Sequence, residues 1–348
     1  PRTVVILSNG APVLMPWADR PAAIVEAYLG GQAGSTAVVD VLVGDTDPGG
    51  RLAESFPMSA DLPAAANFPG EPRRTQYREG AYVGYRYHTT AEAPARFPFG
   101  HGLSYTTFAW GPPVVSGAGT DFEVSIDITN TGTRAGSDVI QLYVRRPGSV
   151  VDRPDRELRA FAKVHLDPGA SETVTLRLDR RSFTHYDVGR RAWYVESGDA
   201  TLLVGASSVD VRADIDIRIE GDGPADAWVG PSGPTFVADD DRFEEMLGHP
   251  IPEATPVLPF TLNTIVDELD ATTLGRVTQR GLLKVAERQM ESMLGDEQDP
   301  VLHSLAERMI REAPLRFLVA MSGGTGSLQA LDGLTTMLSA LRVTGRRD

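Results

Sequence analysis

The chain has 348 residues, 41% of them hydrophobic and 23% charged, with a formal net charge of -14 and no cysteine. That balance belongs to a folded polypeptide long enough for two or three domains, and argues against disorder. It excludes disulfide frameworks, thiolate zinc sites and thiol catalysis, and disfavours nucleic acid or an anionic membrane as a partner.

No apolar run reaches the roughly 18–20 residues that span a bilayer. The missing disulfides tilt the expected location towards the cytoplasm without deciding it, and no Asn-x-Ser/Thr acceptor occurs. The opening Pro1-Arg2-Thr3 has neither a Met nor the parts of a signal peptide. It is read as the start of a piece whose beginning, with any leader, lies upstream.

Val4 to Leu7 is a continuous apolar run closed by Ser8-Asn9-Gly10, the pattern of a buried parallel strand. Ala22 to Leu29 reads as a short helix ended by Gly30-Gly31, and Gly34 to Val43 as a second helix with Ala37, Val38, Val41 and Leu42 on one face. Asp45 to Gly50 is turn chemistry, and Arg51 to Phe56 is expected to return as a strand. This order suggests part of an α/β layered domain.

The stretch from Tyr77 to Phe108 is rich in Tyr, Phe, Gly and His and shows little helical periodicity. Such a stretch reads as a structured loop that presents aromatic faces.

From Thr120 the period becomes two. Phe122, Val124, Ile126 and Ile128 alternate with polar residues, and further short strands follow at Val139–Arg145, Leu158–Leu166, Thr173–Leu178, Ala192–Glu196, Thr201–Gly205 and Val211–Ile219. Strands at that spacing, separated by turns such as Asp167-Pro168-Gly169, predict an immunoglobulin-like sandwich.

Residues 222–260 are rich in Pro, Gly and Asp and read as a linker with one short helix near 241–247. Residues 261–345 read as a helical appendage. It comprises a helix over Gly275–Leu294, another opening at Asp299-Pro300 and interrupted near Pro314, and a last one over Leu328–Leu341. The appendage offers a surface for a homo-oligomer or another partner.

The candidate site residues lie in the aromatic stretch. Glu79 is the acid most worth inspecting near a ligand, against the plainer reading of an ion-pair partner for Arg78 or Arg86. Tyr82, Tyr85, Tyr87 and Phe97 offer rings to a sugar face, or pack at a domain interface. Arg86 is placed to bridge to a further domain. His101, between two glycines, either lines a pocket mouth or is a buried, hydrogen-bonded histidine.

Asp45 and Asp47 read as turn-capping carboxylates, and Glu54 as a solvated or ion-paired one. Gly30 to Gly34 before a helix is too weak a signal for a phosphate site, and Gly323 to Ser327 lacks the Lys of a P-loop. The six His show no metal-ligand spacing, so neither metal nor cofactor is expected.

Four stretches together resemble the C-terminal half of glycoside hydrolase family 3: TVVILSNGAPVLMPW at Thr3–Trp17; YLGGQAGSTAVVDVLVGDTDPGGRLAESFP at Tyr28–Pro57; YREGAYVGYRYH with FPFGHGLSYTTF; and Asp121–Ile219, which resembles that family's fibronectin type III-like domain. The resemblance implies a multi-domain chain: the C-terminal part of an α/β sandwich over 1–110, a fibronectin type III-like β-sandwich over 111–221, then the linker and the all-α appendage.

It further implies that the parent is a retaining exo-acting β-glycosidase, a β-glucosidase in the first instance, acting on terminal β-linked glucosides or oligosaccharides. The family's nucleophilic Asp lies on an N-terminal barrel domain and its acid/base Glu on a loop before the strand at Val4. No catalytic residue is therefore carried over onto this chain, which is expected to be inactive alone. A non-catalytic carbohydrate-binding or interaction module is the alternative. The resemblance gives the helical appendage no role.

Overall fold

The computed structural model describes residues 2–66, 74–224, 233–253, 256–294, 300–321 and 327–340. The chain divides into two compact units, Pro1–Pro252 and Glu253–Asp348.

The first unit begins with β1 (Val4–Leu7), which pairs in parallel with β2 (Ala23–Glu26), followed by α1 (Gly34–Val43). The expectation of a helix over Ala22–Leu29 is therefore corrected to a strand. Ile24 and Val25 are β-branched and favour extended backbone, and β1 supplies a ladder for them, with Val5 opposite Ile24 and Ile6 opposite Val25.

A second correction concerns Arg51–Phe56. Only Phe56 and Pro57 form a strand, β3, which pairs with β4 (Ala95–Phe97). Leu52 is held instead by backbone bonds to the turn at residues 100–101, and Arg51 by an ion pair to Asp138 at 2.7 Å. Between β3 and β4 lie two short helices, α2 (Pro63–Ala66) and α3 (Tyr85–Thr90). Of the apolar face expected on α1, Val38 and Val41 are half-buried while Ala37 and Leu42 are exposed.

The sandwich follows. One sheet orders β10 (Ser171–Leu178), β7 (Asp121–Asn130) and β5 (Phe108–Trp110), with β6 (Val114–Ala118) also paired to β7. The other orders β14 (Val211–Ile219), β13 (Gly198–Gly205), β8 (Gly136–Arg145) and β9 (Glu157–Leu166). A hairpin of β11 (His185–Asp187) and β12 (Ala192–Tyr194) completes it. Phe122, Val124, Ile126 and Ile128 of β7 meet Ile140 and Leu142 of β8 and Leu202 and Val204 of β13 in one core. Burial of each such side chain contributes about 2 kcal/mol.

β8 is buried on both faces. Its even positions fill the sandwich core, while Gln141 and Tyr143 point the other way, and Tyr143 packs with Tyr85 and Leu203. The outer face of the sandwich is thus the bed on which the aromatic stretch lies.

The reading of residues 222–260 as a linker needs correction in part. Residues 233–251 carry α4 (Asp240–Leu247), capped by the Asp239 side chain, and this segment is docked rather than free.

In the second unit a core of Phe260, Val266, Leu269, Leu315 and Leu338 is enclosed by α5 (Thr273–Leu294), α6 (Pro300–Arg311), α7 (Leu315–Met321) and α8 (Leu328–Ala340). Pro314 separates α6 from α7, as its missing N–H dictates. Leu282 and Leu283 pack against this core, whereas Val285, Leu305 and Met309 are exposed. Leu341, Asp299 and Gly323 to Gly326 lie outside the described residues.

Candidate functional site

The aromatic stretch is shaped by its glycines. Gly80 and Gly84 both have φ of 55°, which places Tyr82 between two reversals and starts α3 directly after the second. Gly100 has φ of 82°, and a Cβ there would lie 2.2 Å from Gln141 Oε1. The Gln141 side chain donates to the carbonyls of Gly100 and Ala206 and accepts from the Tyr143 hydroxyl, so the turn is fastened to β8.

Tyr85 is buried. Its ring stacks on Phe99 at 4.7 Å, meets Tyr143 edge-on, and its hydroxyl accepts from the Leu158 N–H at 2.9 Å. The Arg86 guanidinium lies over the same ring, 5.1 Å from its centroid. These groups form one wall of a cavity of about 580 Å³, completed by Glu54, Val83 and Leu158 among others. Tyr85 and Arg86 thus come together here. Glu79, Tyr82 and His101 are not among the lining residues.

Tyr82 is 3% exposed; its hydroxyl donates to the Asp152 carboxylate through a short hydrogen bond, and its ring meets Phe236 edge-on at 5.3 Å. Burial, reinforced by Asp152, pushes the Tyr82 hydroxyl well above its ordinary range. The Asp152 carboxyl is likewise raised by burial, with the Tyr82 bond opposing. Tyr87 also meets Phe236 edge-on, at 5.2 Å.

Glu79 is 7% exposed, and among the described residues no donor reaches its carboxylate. Its neighbours Arg78 and Arg86 are engaged elsewhere: Arg78 bonds Gln76, the Ala238 carbonyl and Asp240.

His101 stacks on Phe97 at 5.5 Å, and Phe97 in turn meets Phe56. Burial and the nearby Arg51 hold the imidazole below its ordinary pKa, against the pull of Asp210.

Several residues that organise this region were given smaller roles by sequence reasoning. Asp47, read as a turn cap, accepts from Ser104 Oγ and the Tyr105 N–H at 2.7 Å and from the Ser137 N–H at 3.0 Å. It joins the α/β part, the aromatic stretch and β8 through one carboxylate. Asn130 is fully buried and bonds Thr106, Gly132, Arg134 and Leu166. Phe236 was overlooked, although an aromatic within a Pro/Gly/Asp-rich run is a signal for docking.

Chemically, the cavity offers the Arg86 guanidinium, the Glu54 carboxylate and apolar side chains from Val83, Phe99 and Leu158. Retaining glycoside hydrolysis needs two carboxyl groups about 5–5.5 Å apart. Glu54 is the only carboxylate among the described residues that line this cavity.

A small α/β layer is joined through the aromatic turn to a fibronectin-type sandwich, and both parts have counterparts among known domains. Residues 1–105 match the glycosyl hydrolase family 3 C-terminal domain, and residues 138–208 match the fibronectin type III-like domain. Residues 1–105 thus belong to the glycosyl hydrolase family 3 C-terminal domain family.

It is similar to thermostable beta-glucosidase B of Acetivibrio thermocellus, 45% identical over 221 residues, covering 62% of this chain and 29% of that protein. It is also similar to an exo-alpha-(1->6)-L-arabinopyranosidase of Bifidobacterium breve, 40% identical, covering 65% of this chain and 30% of that one. Among solved structures, a GH3 beta-glucosidase of Bifidobacterium adolescentis is 38% identical with a TM-score of 0.60, covering 70% of this chain and 36% of that one. The chain spans under a third of the length of each of these curated relatives.

Proposed function

We propose that this chain serves as the C-terminal, non-catalytic portion of a retaining exo-acting β-glycosidase, a β-glucosidase in the first instance. The observation that carries this reading is the 45% identity to a beta-glucosidase across 221 residues. The nucleophile and the acid/base would come from a barrel domain and a loop outside this polypeptide, and the substrate would be a terminal β-linked glucoside or oligosaccharide. The arabinopyranosidase among the relatives supports placing sugar choice largely outside this portion.

In this reading the aromatic stretch is a structural joint. Tyr82, Tyr85 and His101 fix its shape. Arg86, whose guanidinium has no ion pair among the described residues, faces the domain that completes the enzyme. Glu79 is a positioned carboxylate without a catalytic duty. Domain limits at residues 110 and 221 accompany the proposal, with the helical unit beginning at Glu253.

The test is turnover of a nitrophenyl β-glucoside. The 348-residue chain alone is expected to give none, and a polypeptide carrying the barrel region ahead of it is expected to hydrolyse the substrate. Activity of the chain alone, or inactivity of the longer polypeptide, overturns the proposal.

A further inference from the structure

Residues 233–251 form a strap across the aromatic stretch. The Ala238 N–H donates to the Arg78 carbonyl at 3.1 Å, and Arg78 Nη1 returns a bond to the Ala238 carbonyl at 3.0 Å. Two residues before Ala238, the Phe236 ring stands edge-on between Tyr82 and Tyr87. Two residues after it, Asp240 pairs with Arg78 at 2.5 Å. Phe243 of α4 lies under the same guanidinium, 5.1 Å away. The strap therefore reads as a bound peptide, with an aromatic residue in a tyrosine slot, a backbone exchange, and a carboxylate on an arginine four residues later.

Its hold is light. Of the strap's described side chains only Ala238 and Phe243 are buried, Asp240 is 77% exposed, and half of the α4 residues are exposed. Segments with few buried apolar contacts and solvent-facing bonds open at a small fraction of the global unfolding free energy. Most of the slot is held from outside the strap: Tyr82 is tied to Asp152, whose carboxyl the strap's Arg242 also influences, Tyr87 belongs to α3, and Arg78 keeps its bond to Gln76. The groove accordingly keeps its shape when the strap leaves.

We infer that the strap is a releasable lid, and that the groove of Arg78, Tyr82 and Tyr87 is a peptide-binding surface for an aromatic residue followed four positions later by a carboxylate. The resident ligand is Phe236 to Asp240 of this chain. Opening exposes the Arg78 guanidinium and the two tyrosine rings without unfolding the sandwich. This inference does not depend on the glycosidase reading, because neither arm of its test measures hydrolysis.

Native-state hydrogen exchange on the full chain is the first arm. The Ala238 amide should exchange about 100-fold faster than that of Ile126 in the sandwich core. Equal protection would make the strap an integral part of the fold and overturn the inference. The second arm uses a synthetic peptide of residues 233–248. A full-length Phe236→Ala, Phe243→Ala variant should bind it at least about tenfold more tightly than the unaltered chain, whose groove is already filled. A scrambled peptide should bind neither protein. No gain in the variant, or equal binding of the scrambled peptide, also overturns it; unchanged protection of Ile126 in the variant shows that its sandwich is folded.

Discussion

His101 and His185 carry a pH dependence whose sign follows from their surroundings. Burial lowers both imidazole pKa values, with Arg51 adding to the effect at His101 and Arg153 at His185. Arg153 Nη2 donates to His185 Nδ1 at 3.0 Å, which places the ring proton on Nε2 and leaves no room for a second one on Nδ1. The unfolded chain therefore binds protons more readily at these positions than the folded chain. The stability they contribute is fully present above their unfolded pKa, about 6.5, and is lost as pH falls through that value towards the lower folded one. Urea midpoints should drop from about pH 7.5 to about pH 5.5, and the drop should flatten in a His101→Gln, His185→Gln double variant. An unchanged slope would locate the dependence in other groups.

Among the elements, the turn around Gly100 shows how the two patterned halves of the first unit are joined. A side chain there meets both a left-handed backbone and the Gln141 amide, which is held by three bonds of its own. Gly100→Ala should lower stability by about 3 kcal/mol, from backbone strain and overpacking together. Chemical denaturation checks it, and a cost below about 1 kcal/mol would mean that Gln141 moves aside freely.

The glycine was legible in the sequence as a place for a sharp turn, but Gln141 was not, because it comes from β8 forty-one residues later. Most of the sandwich strands were legible, since one buried face imposes a period of two, as in β7 and β10; the short β5, β6 and β11 were not, and β8 is buried on both faces. Residues 22–29 were not, because a short apolar run has no distinguishing period and its partner β1 decides the outcome. The strap was hidden by its composition: Pro, Gly and Asp announce turns, and only folding brings Phe236 between two tyrosines.

Across the whole molecule, the sandwich core and the helical core share no residues. The helical elements could be read from their spacing and the proline break, whereas their role could not, since no chemistry-bearing motif accompanies them. The first unit is different. Its α/β part has little buried interior of its own, with Val4, Ile6, Leu29 and Val43 exposed, and much of its order comes from ties to the sandwich.

The Asp47 carboxylate is chief among those ties, and it has a consequence in time. Its three bonds close loops of 57, 58 and 90 residues. Contacts that far apart along the chain bring no return until the intervening segments are in place, so they form late. β8 must exist before Ser137 can meet Asp47. The sandwich should consequently act as the folding nucleus onto which the earlier residues are registered, although the ribosome delivers those residues first. In a stopped-flow experiment on tryptophan fluorescence, Asp47→Ala should speed unfolding about tenfold or more and leave refolding nearly unchanged. Slowed refolding with unaltered unfolding would instead place Asp47 in the nucleus. One carboxylate, on this view, marks the last step at which the first unit closes.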